Sequence, residues 1–223
     1  MKLYDSRGPN PKLVRMFVAE KSLQFDETIA VDLPKGENRQ APYLSKNPAG
    51  QLPCLELNDG HFLAETIAIC EYLEECQTEP VLIGATPEDR AETRMWVRRM
   101  EWKIIQPMLD GFRFGRGHDF FKDRMRVIPE AADGLKAVAQ DGLRWLEHQL
   151  EGRLTIVPNR FTLADVTLYP ILEFGASVGQ PLEPALRSLT TWFETVGRGN
   201  SAKMADINLK YWLSNALLTI SYH

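Results

Sequence analysis

The 223-residue chain lacks any apolar run near roughly 18 residues, so no stretch of it reads as a membrane-spanning helix. It lacks a basic excess. Twenty-six Lys and Arg stand against 30 Asp and Glu, a net charge of −4, which gives no electrostatic pull toward nucleic acid or an anionic membrane. Its three cysteines, Cys54, Cys70 and Cys76, form neither a CxxC pair nor a metal-ligand spacing. That excludes a disulfide framework and gives no metal site. An odd, unpatterned count suits a reducing compartment. There is no internal repeat and no low-complexity segment. The opening Met1-Lys2-Leu3-Tyr4-Asp5 has no apolar signal core, so a cytoplasmic location is expected. What remains is ordinary globular composition, 44% hydrophobic and 25% charged, with length for one large domain or two small ones.

Along the chain, Lys2-Leu3-Tyr4 reads as a short strand. Asn10-Pro11 reads as a helix start, with Asn at the N-cap and Pro at the first helical position. Leu13, Val14, Phe17 and Val18 follow at helical spacing. Residues 25–31 read as a second strand. A polar loop leads to a short helical turn around Tyr43-Leu44. Leu55-Glu56-Leu57 and His61-Phe62-Leu63 flank Asn58-Asp59-Gly60, a hairpin signal. A helix from about Glu65 to Cys76 closes a β-α-β-α-β-β-α unit. Cys54 falls on a strand and Cys70 on the apolar face of that helix, so both are expected to be buried. Residues 77–87, with two prolines and a glycine, read as a linker. Beyond it every segment reads helical: 88–114, 129–150, a helix capped by Thr162 with Asp165 three residues on, and 186–196. The apolar tail, 209–223, is suited to docking. Two domains follow: α/β over residues 1–76 and all-α over 88–223.

The richest stretch is Asn47-Pro48-Ala49-Gly50-Gln51-Leu52-Pro53, followed by Glu65-Thr66 at the head of an apolar helix. Pro53 opens a strand yet has no N–H for a ladder, so a special turn, with a cis peptide as one form of it, is expected there. Leu52 can then turn its own N–H and C=O outward toward a peptide-like ligand. The helix N-terminus suits a carboxylate, and a side-chain carboxylate there can receive an ammonium. Together they suit a small zwitterionic peptide. A plain helix start, with Glu65 favouring the positive helix end, is the competing reading.

These motifs, with Tyr72-Leu73 and Thr162-Leu163-Ala164-Asp165, resemble the cytosolic glutathione transferases across nearly the whole chain. The resemblance implies a thioredoxin-like N-terminal domain, an all-α C-terminal domain carrying the acceptor-site wall, a homodimer, and a role in detoxification. It implies glutathione as co-substrate, no metal, and a small electrophilic or disulfide substrate. By the same resemblance Leu52 and a cis Pro53 meet the cysteinyl part of glutathione, and Glu65 and Thr66 the γ-glutamyl end. Gln51 stands near the glycyl end, and Asn38 or its neighbour Arg39 near the glycyl carboxylate. Thr162 and Asp165 match a folding element.

A free thiol near pKa 8.5 is only a few per cent thiolate at neutral pH, and lowering that pKa by about two units takes roughly 2.7 kcal/mol. One or two hydrogen bonds and a helix N-terminus supply this. The family draws its donor from the turn after the first strand, here Asp5-Ser6-Arg7-Gly8-Pro9-Asn10-Pro11. This turn has no Tyr beyond the strand. It has Gly8 where omega-like members have Cys, and Asn10 where beta-class members have Cys. Its Gly-Pro-Asn most resembles the Thr-Pro-Asn of bacterial nu-like transferases, within a chain that is otherwise nu-like or theta-like, with the hydroxyl missing. Asn10 is the first candidate donor and Ser6 the second, with backbone N–H groups a third. A catalytic cysteine is not expected. The alternative is a non-catalytic glutathione-binding or protein-interaction member of the same fold.

Overall fold

The computed structural model describes residues 1–207, so the expected docking tail, 209–223, lies outside the described residues. The order of elements in the N-terminal part is β1 (Lys2–Asp5), α1 (Pro9–Glu20), β2 (Glu27–Ala30), a 3₁₀ turn (Glu37–Arg39), α2 (Ala41–Leu44), β3 (Cys54–Glu56), β4 (Phe62–Ala64) and α3 (Thr66–Cys76). The sheet order is β2-β1-β3-β4, with β1 parallel to β2 and the other pairs antiparallel. This is the expected small α/β unit of thioredoxin type. Leu13, Val14, Met16 and Phe17 of α1 are buried, as are Ile69, Cys70 and Leu73 of α3, because their helical spacing gathers them on one face. The hairpin closes through Leu57 N–H donating to the His61 carbonyl.

The start of α1 departs from expectation. Gly8, not Asn10, is the N-cap, Pro9 is the first helical residue and Asn10 the second. Gly8 takes φ 128°, a conformation open to glycine and strained for other residues, and Pro9 arrives with φ already set for a helix. The helix therefore begins two residues earlier than the Asn-Pro signal implied.

The helical part holds α4 (Pro87–Met100), a π-helical turn (Glu101–Ile105), α5 (Gln106–Phe114), α6 (His118–Phe121), α7 (Ala132–Leu150), α8 (Leu163–Ser177), α9 (Arg187–Arg198) and α10 (Asn200–Ile207). The expected helix over 88–114 is thus α4 and α5 joined by the π turn. Gly142 of α7 lies so close to that turn that an added Cβ would stand 2.3 Å from the Lys103 carbonyl oxygen. Thr162 and Asp165 form the expected capping box at the head of α8. Asp165 is fully buried and accepts from Ile156 N–H (2.9 Å), Thr162 N–H (2.9 Å) and Trp192 Nε1 (2.8 Å).

The chain forms two compact units: Met1–Pro80 together with the segment from Arg198, and Val81–Gly197. The first boundary falls inside the linker read from sequence. The second unit, however, ends at Gly197 instead of running to the terminus. In the first unit α10 packs on α1 through the buried small residues Ser201, Ala202 and Ala205. Lys12 reaches Asp206 at 2.6 Å, and Arg15 Nε donates to the Ala205 carbonyl at 3.0 Å. Lys21, fully buried at the end of α1, donates to the carbonyls of Gln77, Thr78 and Pro80 and pairs with Glu74. Among the described residues no helix is long and apolar enough to cross a membrane.

Candidate active site

Strand register brings the expected site residues to one end of the sheet. Tyr4 lies opposite Cys54, and Cys54 opposite Ala64. One step further along all three strands places Asp5, Pro53 and Glu65 in a row. From that row the chain enters the β1–α1 turn, emerges from Leu52, and enters α3. The N-termini of α1 and α3, both positive ends, follow directly from it.

The Leu52–Pro53 peptide is cis. The preceding carbonyl, of Gln51, is gripped twice, by the Tyr43 hydroxyl at 2.6 Å and by Asn47 Nδ2 at 2.9 Å. Asn47 Oδ1 in turn accepts from Ala49 N–H. Among the described residues neither the N–H nor the C=O of Leu52 has a hydrogen-bond partner. A backbone donor and acceptor left open beside a fixed turn are a ready pairing edge for a peptide. The sequence does not show this role for Tyr43 or Asn47: Asn47 lies in the Asn47–Pro53 stretch, but nothing local fixes which carbonyl its amide meets.

Glu65 is the N-cap of α3 with φ 68° and ψ 119°. Positive φ at a bulky non-glycine residue is uncommon and concentrates at functional sites. Its side chain is exposed and makes no cap hydrogen bond, while Thr66 begins the helix half-buried. The Glu65 carboxylate thus stands at the positive end of α3, where its charge is favoured, without being tied to the helix by a hydrogen bond. Gln51 is exposed beside Leu52.

Two expected site residues are committed elsewhere. Ser6 is 2% exposed and its hydroxyl donates to the Val31 carbonyl at 2.9 Å, so that hydroxyl ties β1 to the end of β2 and does not face a ligand. Asn38 is equally buried, and its Nδ2 donates to the Gly50 carbonyl at 2.6 Å. It braces the loop that leads to Leu52 rather than offering its amide to a carboxylate. Arg39 is exposed, with Nη1 3.4 Å from the Ala49 carbonyl.

Asn10 is half-buried in the first turn of α1. Its neighbours Pro9 and Pro11 carry no N–H, so the first three helical residues hold a single backbone donor, that of Asn10. Neither this N–H nor the side-chain amide has a partner among the described residues. The turn rests on a buried ion pair that sequence reasoning missed. Arg15 Nη1 lies 2.8 and 2.9 Å from the two oxygens of Asp5 and 3.2 Å from the Ser6 carbonyl, and Ser6 N–H donates to Asp5 Oδ1.

Burial pushes the Cys54 thiol up to about 11 and Cys70 well above its ordinary range, so both are neutral thiols near pH 7. Cys76 is exposed at the far end of α3. The Tyr4 hydroxyl donates to Glu56 at 2.7 Å and is held up at about 12 by burial and that carboxylate. It belongs to the strand, as expected. Among the described residues no group of three or more His, Cys, Asp or Glu is placed to hold a metal ion.

Comparison with known proteins gives the family. Residues 1–75 match the family model for the glutathione S-transferase N-terminal domain, and residues 128–198 that for the C-terminal domain. A maleylacetoacetate isomerase of Pseudomonas aeruginosa is 39% identical over 82% of this chain and 85% of its own length. Glutathione S-transferase 2 of Saccharomyces cerevisiae is 29% identical over 91% and 88% respectively. The crystal structure of a glutathione S-transferase domain-containing protein from Marinobacter aquaeolei superposes with a TM-score of 0.84 at 33% identity, covering 90% of this chain and 99% of that one. The chain belongs to the glutathione S-transferase family and is an enzyme of that kind.

Proposed function

We propose that the enzyme binds glutathione along the end of its first sheet and activates the thiol through Asn10. The open N–H and C=O of Leu52 carry the reading, because they offer a strand-like pairing edge to the cysteinyl residue. The exposed Glu65 carboxylate receives the γ-glutamyl ammonium, and the first turn of α3, with Thr66, receives its carboxylate. Gln51 and Arg39 serve the glycyl end. Asn38 and Ser6 act as braces, through Gly50 and Val31. The Asn10 amide and the N-terminus of α1 supply donors and positive potential to the sulfur, so the thiol gives its proton to solvent without a side-chain base. The thiolate then attacks an electrophilic carbon or a disulfide. The nu-like or theta-like character of the Gly-Pro-Asn turn, a homodimer, a cytoplasmic location and a role in detoxification belong to the same reading.

The isomerase relative favours a second outcome at the same site. A thiolate that adds to an electron-poor C=C, allows rotation and is then expelled isomerises the substrate without consuming glutathione.

The first test is titration of the protein with glutathione from pH 5 to 9, following the ultraviolet absorbance of the thiolate. A ligand-dependent thiolate with an apparent pKa about two units below the free value establishes activation. Binding without that shift selects the non-catalytic alternative. Glu65→Gln is expected to raise the glutathione Kd about ten-fold or more and leave the bound thiol pKa in place. Consumption of glutathione during turnover separates transfer from isomerisation.

A further inference from the structure

We propose that the first unit carries a second small-molecule site, which takes a neutral, largely apolar ligand with one acceptor oxygen. A pocket of about 260 Å³, open to solvent where Met204 (53% exposed) and Thr28 line it, lies among α1, β1, β2 and α10. Leu3, Val18, Ala19, Leu23, Phe25 and Met204 give it apolar walls. Asp5, Arg15 and Thr28 are its polar lining. None of these residues belongs to the proposed glutathione contacts.

Arg15 sets the chemistry. Its side chain is 5% exposed, and two of its three nitrogens are spent: Nη1 on Asp5 and Ser6, Nε on Ala205. Nη2 has no partner among the described residues, which makes it the donor that Arg15 offers to the cavity. The bidentate Asp5 carboxylate neutralises the guanidinium and would repel a second anion close by. A carbonyl oxygen satisfies Nη2 without that penalty, whereas a carboxylate does not. Thr28 adds one hydroxyl on the wall. For size, an apolar cavity of about 150 Å³ takes benzene, so this one suits a ligand of about ten non-hydrogen atoms. A small aryl ketone such as acetophenone meets all three conditions.

The test uses the full chain with methyl-labelled methionine, titrated with acetophenone. The Met204 methyl resonance is expected to shift saturably, with a Kd on the order of 0.1–1 mM, and to do so equally in saturating glutathione. Benzoate, of similar size but anionic, is expected to bind at least about ten-fold more weakly. Ala19→Phe, which fills the cavity, is expected to abolish the shift with glutathione binding unchanged. Should that variant not fold, Thr28→Trp on the exposed strand obstructs the wall instead. No saturable shift at Met204, a shift that survives both variants, displacement by glutathione, or equal affinity for benzoate would each overturn the proposal. Because the readout is independent of thiolate formation, the assignment of Asn10 can fail without affecting it.

Discussion

Ser6 and Asn10 share one turn and serve different ends. The Ser6 hydroxyl is buried against Val31, whereas the Asn10 amide stands open at the head of α1. Replacing Ser6 with Ala should lower stability by about 1 kcal/mol, through loss of a buried hydrogen bond, and leave the bound thiol pKa where it was. Asn10→Ala should do the reverse: an unchanged melting temperature, a thiol pKa raised by about one unit, and kcat/KM about ten-fold lower near pH 6.5. Thermal melts and a pH–rate profile on the pair decide it. At this scale the sequence was informative where chemistry is local. A proline at a strand start told of the special turn at Leu52–Pro53, and the apolar spacing after Glu65-Thr66 told of the helix that begins there. It misplaced Ser6, read as a thiol donor, and Asn38, read as a glycyl contact, because their actual partners lie 25 and 12 positions away and no periodicity encodes such pairs.

Among the elements, α8 is the most legible and α1 instructively less so. The Thr162–Asp165 capping box is a pattern of two residues at fixed spacing, and it forms as read. The start of α1 was read from Asn-Pro, but Gly8-Pro9 immediately before it satisfies the same rules two residues earlier. The π turn between α4 and α5 leaves no pattern, and its close approach to α7 is possible only because Gly142 has no side chain. Gly142→Ala, favourable by helix propensity alone, should instead destabilise the chain by about 1–3 kcal/mol through the clash with the Lys103 carbonyl; urea unfolding measures it. Asp165 supplies a pH dependence. Burial pushes its carboxyl from 3.8 to about 6, against the pull of its hydrogen-bond donors. Between those values the folded chain keeps a proton that the unfolded chain has released. The stability linked to that proton is full below pH 3.8 and is lost as pH rises through 6. A stability profile from pH 4 to 7 should show this decline in the parent chain and not in Asp165→Asn, whose absolute stability should be lower throughout.

For the whole molecule, two-domain character was visible in the change from mixed to purely helical pattern at residues 77–87, and the first unit does end there, at Pro80. That the unit is completed by α10 was not visible, since a helix of small and charged residues does not announce which neighbour it covers. The end of the first stretch is fixed by Lys21, whose buried ammonium gathers three carbonyls and Glu74. Lys21→Met should leave the three carbonyls without their donor and cost about 3–5 kcal/mol, read as a lowered melting midpoint of the full chain. The position of α10 also bears on how the protein is made. Arg15 and Ala205 are 190 positions apart, so a ribosome adding about 5–20 residues per second takes roughly 10–40 s to deliver the second after the first. Throughout that interval Lys12 and Arg15 of α1 lack their α10 partners, while the whole second unit is synthesised in between. In the order of synthesis, the unit with the proposed glutathione site is begun first and completed last.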